Sequence, residues 1–179
     1  WLMYFKKLNI QFNIPEFDIG EPDIQYGPIV DGKFYGIEYR ELLNFKSLYS
    51  KFTLNLTTEA PQLLHANCYI PPHTDSGINA VINYYITTEN CETQFYEKKE
   101  DIVDSYQIEN QTDGHLYNLK DLTSGPSFTA EPGDVYLLDV SKIHSVIPLK
   151  RAVGIDRKAI CVSIKDYKFP ELEQLLWRK

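Results

Sequence analysis

The stretch YIPPHTDSGINAVINYY (69–85) places His73 and Asp75 two positions apart, just ahead of an apolar, β-branched run. In an extended strand, residues two apart share a face, so one imidazole and one carboxylate can reach the same ion. A third histidine, His144, follows the apolar part of GDVYLLDVSKIHSVIP (133–148), and Arg157 lies thirteen residues beyond it. Two imidazoles and one carboxylate on one face of an octahedral site leave three positions open, which suits Fe(II) in oxygenases that bind a co-substrate together with O2. These borderline and hard ligands favour iron over metals that prefer thiolate. A His-X-Asp/Glu triplet alone is weak evidence, since about half of chains with such a composition contain one by chance. The weight comes from His144 and Arg157 following in that order, with His144 arriving from another strand.

The elements that must position these residues are mostly strands. AVINYYI (80–86), ETQFYEK (92–98), DVYLLDV (134–140) and RKAICVSI (157–164) are rich in β-branched and aromatic residues. Pro132-Gly133 supplies a turn before the third of them. In the last strand, Arg157, Ala159, Cys161 and Ser163 share one face, and Lys158, Ile160, Val162 and Ile164 share the other. The second face can pack under a helix. The first leaves open space beside a guanidinium and can floor an anion site; an edge strand with a solvated face accounts for the same pattern. EYRELLNFKSLYSKF (38–52), with Leu42, Leu43, Phe45, Leu48, Tyr49 and Phe52 as an apolar stripe, predicts a helix. A short closing helix is expected at ELEQLLWR, with Pro170 in its first turn. Helix first and strands after predicts a mainly β single domain over residues 1–179, a β-sandwich or jelly roll with flanking N-terminal and C-terminal helices.

The motifs PPHTD (71–75), CETQF (91–95), GDVYLLDVSKIHSV (133–146) and RKAICVSI (157–164) together resemble the Fe(II)- and 2-oxoglutarate-dependent oxygenases, in particular their prolyl-hydroxylase-like branch. The resemblance covers residues 65–165 and implies a double-stranded β-helix (jelly roll). It implies His73, Asp75 and His144 as iron ligands and Arg157 as the anchor of the far carboxylate of 2-oxoglutarate. The co-substrates would be 2-oxoglutarate and O2, and the reaction hydroxylation of a small-molecule or peptide substrate. CETQF stands where relatives carry a Gly-Gly-Glu-Thr-X-Phe stretch, which places Thr93 near the co-substrate, although Cys91 replaces a glycine there. Ala159 departs from the hydrogen-bonding residue that many relatives carry two positions after the Arg. A second partner for the carboxylate is then sought among Tyr69, Asn83 and Tyr85, each of which also reads as an ordinary strand residue.

The remaining sequence narrows the classes. A net charge of −7 disfavours a nucleic-acid backbone binder, although Lys142, Lys150, Arg151, Arg157 and Lys158 could form a local basic patch. No apolar run is long enough to span a bilayer, and the start WLMYFKKLNI lacks the features of a signal peptide. Cys68, Cys91 and Cys161 form no CxxC pair and fit a reducing, cytoplasmic setting. His65 reads as a strand residue, His115 as part of an exposed loop within 109–126, and the charged cluster Glu97–Asp104 as a solvated face. Two other readings use the same residues: a cupin-like metalloenzyme that does not use 2-oxoglutarate, and a non-catalytic β-sandwich binding module.

Overall fold

The computed structural model describes residues 3–10, 14, 18–26, 36–39, 42–43, 61–101, 105–106 and 114–177. Among them the chain is mainly β. A seven-stranded antiparallel sheet runs in the order β1 (Phe5–Lys7), β13 (Val135–Leu138), β8 (Ala80–Glu89), β15 (Asp156–Ile164), β6 (Gln62–Ala66), β4 (Gly36–Tyr39), β3 (Ile24–Tyr26). A six-stranded antiparallel sheet runs β10 (Ser105–Tyr106), β11 (His115–Tyr117), β7 (Ile70–Thr74), β14 (His144–Pro148), β9 (Cys91–Lys98), β12 (Leu122–Phe128). A small pair joins β2 (Asp18–Ile19) to β5 (Leu42–Leu43). Four pairings are nested in sequence: β6 with β15, β7 with β14, β8 with β13, and β9 with β12.

Strand alternation sorts the side chains of the seven-stranded sheet into two cores. Ile82, Tyr84, Val135, Leu137, Ile160, Val162 and Ile164 turn outward and pack with Phe169 and Leu172 of the closing helix, Phe169–Trp177. Each such fully buried aliphatic contributes about 1.5–3 kcal/mol. The helix begins as expected around Pro170: the Lys168 backbone N–H donates to the Glu171 carboxylate at 2.7 Å, one half of a capping box. The opposite face, with Val81, Tyr85, Tyr136, Leu138 and Ala159, packs with Tyr4, Phe95, Phe128 and Ala130. Phe95 lies on the six-stranded sheet, so this second core lies between the sheets. No helix among the described residues is long and apolar enough to cross a membrane.

Three expectations need correction. Glu38–Tyr39 lies in β4 and Leu42–Leu43 forms β5, so the helix expected over 38–52 does not start there; residues 40–41 and 44–52 lie outside the described residues. Apolar spacings of one to four fit either period, and pairing with β6 (Ile37↔His65, Tyr39↔Leu63) decides in favour of strand. His115 is exposed but belongs to a strand, because β11 extends the six-stranded sheet along β7. Arg157 is interior, 5% exposed, and β15 has neighbours on both sides, so neither the basic surface patch nor the edge-strand reading holds for it.

Candidate metal centre

Register brings the three predicted ligands together. β14 runs antiparallel to β7 with His144 directly opposite His73, so the two imidazoles share the inner face of the sheet. Their ring centroids are 4.3 Å apart. Asp75 follows β7 by one residue, and its backbone N–H donates to the Val140 carbonyl at 3.1 Å, fixing the strand end to the turn before β14. One ligand atom from each of His73, Asp75 and His144 lies within 4.8 Å of the others.

The protonation pattern of both imidazoles is set by backbone. His73 Nδ1 is 2.8 Å from the Pro71 carbonyl oxygen, and His144 Nδ1 is 2.8 Å from the Lys142 carbonyl oxygen. A carbonyl only accepts, so each Nδ1 carries hydrogen and donates. A neutral ring protonated at Nδ1 presents the lone pair of Nε2, the usual arrangement for a metal-binding histidine. His73 Nε2 is 3.5 Å from Asp75 Oδ1. Burial holds the His144 pKa well below the ordinary histidine value, and the nearby charges of His73 and Arg157 push it the same way. Neutral imidazole is the form that coordinates. The Phe95 ring, 5.8 Å from His144, closes one side with apolar surface.

Arg157 forms a second group deeper between the sheets. Its Nη2 donates to the Tyr85 hydroxyl at 3.5 Å, and the guanidinium lies 5.2 Å from the Tyr85 ring centroid. Asn83 Nδ2 donates to the same hydroxyl at 3.4 Å. Because the Tyr85 oxygen accepts twice, its own hydrogen is left to donate. Arg157 Nε and Nη1 are buried without hydrogen-bond partners, as is Asn83 Oδ1. Burial opposes the Arg157 charge, but Tyr85 and Cys161 favour it and its pKa is raised overall. Three donors with unused hydrogens around a fixed positive charge fit a carboxylate, which accepts a guanidinium fork.

Of the other expected contacts, Asn83 and Tyr85 join Arg157 and are 3% and 1% exposed. Thr93 is buried on β9 between Val146 and Phe128, on the same face as Phe95. Tyr69 differs, standing 41% exposed in the turn before β7. His65 is a strand residue, as expected, and is paired with Asp156 at 2.8 Å. Sequence reasoning missed the carbonyls of Pro71 and Lys142. Both stand two residues before a histidine, which is the only signal they left. No protein-family model matches the chain, and no curated protein is significantly similar to it.

Proposed function

We propose that this chain is an Fe(II)- and 2-oxoglutarate-dependent dioxygenase that hydroxylates a small-molecule or peptide substrate. The observation that carries the reading is the pairing of a His73/Asp75/His144 cluster, both of its Nδ1 atoms tied to backbone, with a buried Arg157 whose Nε and Nη1 have no partner. The nested pairing β6/β15, β7/β14, β8/β13 and β9/β12 supports a jelly roll, since rolling one long hairpin between two sheets generates that order.

His73 and His144, through Nε2, and Asp75, through its carboxylate, would hold the metal. When bound, Fe(II) with 2-oxoglutarate and O2 supplies oxidative decarboxylation to succinate and CO2, coupled to oxygen insertion into a substrate C–H bond. The chain's own contribution is orientation. Arg157 and the Tyr85 hydroxyl would grip the far carboxylate of the diacid, and the guanidinium stays charged at any working pH. The apolar residues between the sheets, Phe95 and Ala159 among them, exclude water from that grip.

Anaerobic titration with Fe(II) and then 2-oxoglutarate tests the reading. A weak visible charge-transfer band should appear only with both present, and exposure to O2 should release succinate. Arg157→Ala should abolish the 2-oxoglutarate dependence. Metal binding with no response to 2-oxoglutarate would overturn the co-substrate assignment, and failure to bind Fe(II) would overturn the metal centre itself.

A further inference from the structure

We propose that β11 is a working part of the metal centre and that Gly114, at its entrance, is the residue that positions the His73–Asp75 pair. The proposal rests on the metal-binding reading of the cluster and adds to it a component that contributes no ligand.

The path of the chain is the first observation. It leaves β9 at Lys98 and returns as β12 against that same β9, a connection that two to five hairpin residues could make. Instead the chain travels to the opposite side of the sheet. In the order β11-β7-β14-β9, β11 stands three strand spacings from β9, about 14 Å. What it reaches there is the ligand-bearing end of β7: Leu116 pairs with His73 and His115 with Thr74. With His144 opposite His73 on the other side, the ligand segment is held between two strands.

Gly114 is the second observation, and it is independent of the first. Its φ is +107°, where L side chains are strained. A Cβ at this position would overlap the Thr74 carbonyl oxygen and lie 3.4 Å from the Thr74 carbonyl carbon and 3.8 Å from Asp75 Cα. The obstructing atoms are backbone and belong to the peptide joining Thr74 to Asp75. No flexible side chain can yield there. A methyl group must therefore displace the link between the two ligands, while the Asp75 N–H remains held by Val140 from the other side. The Asp75 carboxylate would turn away from His73 Nε2. Leu116 completes the element: 5% exposed and directly opposite His73, it places an apolar side chain on the inner face beside that imidazole.

Gly77 provides the control. It lies two residues after Asp75 with φ +71°, and a Cβ there meets nothing within 4 Å. Gly114→Ala and Gly77→Ala would be titrated anaerobically with Co(II), whose visible bands report ligand geometry. For Gly114→Ala we expect binding weaker by about 10–100-fold, the range typical of residues that orient ligands, together with altered Co(II) bands. Gly77→Ala should keep the parental spectrum. Hydrogen exchange on the unmodified protein gives a test that does not depend on the variant folding: Co(II) should raise protection of residues 115–117 together with 73–75. Unchanged affinity and bands in Gly114→Ala, or protection confined to β7 and β14, would sink the role of β11 while leaving the metal centre standing. If the unmodified chain binds no Co(II), both ideas fall.

Discussion

The two polar groups between the sheets are finished to different degrees. At the ligand cluster the fold itself meets the outer needs of each imidazole: Pro71 and Lys142 carbonyls take the Nδ1 hydrogens, so both Nε2 lone pairs are aimed without any help from a metal. Around Arg157 the fold stops short. The guanidinium is buried deeper than His73 or Asp75, yet two of its nitrogens and the Asn83 carbonyl oxygen have no partner. A buried donor without a partner costs about 1–3 kcal/mol. The contrast separates preorganisation, which the chain supplies, from neutralisation, which on the proposed function a bound diacid would supply.

The contrast can be broken most forcefully at the cluster. His144→Ala or Asp75→Ala should weaken Fe(II) or Co(II) binding by about a hundredfold or more in calorimetric titration. Metal-free unfolding should move little, because in each case the remaining ligands keep their backbone contacts. Retained affinity would mean the three side chains do not act as one site.

Arg157 sharpens the other half. Arg157→Met removes a buried charge and its unmet donors while keeping much of the volume, so ligand-free denaturant unfolding should show stability unchanged or higher by about 1–3 kcal/mol. On the proposed function the same variant should lose stabilisation by 2-oxoglutarate, which for the parent would amount to about 2.7 kcal/mol at a hundred times Kd. A ligand-free variant destabilised by several kcal/mol would show that the cation already serves the fold, and the contrast would disappear.

The smallest expected effect uses two neighbouring tyrosines on opposite faces of β8. Tyr85 lies under the guanidinium, whereas Tyr84 faces the helix-side core, where burial pushes its pKa up to about 12. Its folded value exceeds its unfolded value of about 10. The resulting stability is therefore complete below pH ~10 and is lost as pH rises toward 12. Compared with the parent, Tyr84→Phe should lose about 1 kcal/mol less between pH 9 and 11 in urea unfolding. An identical alkaline slope would place this hydroxyl in contact with water.

Much of the scaffold was legible because period-two patterning is local. The strands expected at 80–86, 92–98, 134–140 and 157–164 all form, and the two faces read for Arg157–Ile164 match the interior and the helix side. The helix expected from residue 38 was misread because its first residues find partners on β6, a tertiary choice that periodicity cannot register. The cluster was legible as residue types in order. The carbonyls that orient it were not, since every residue, proline included, offers a carbonyl and only the local backbone geometry, within β7 for Pro71 and in the turn before β14 for Lys142, selects these two. Gly114 was equally silent, as nothing in its neighbourhood names Thr74 as the atom it must avoid.

The nested strand pairing also bears on how the molecule is made. His73 and His144 meet only after about seventy intervening residues have been laid down, and non-local pairing of this kind is slow to form. A chain emerging from the ribosome thus exposes its first two ligands well before the third exists. A metal ion that requires all three side chains could therefore be held only after β14 has closed against β7, which would set an order for maturation: assembly of the polypeptide, then loading.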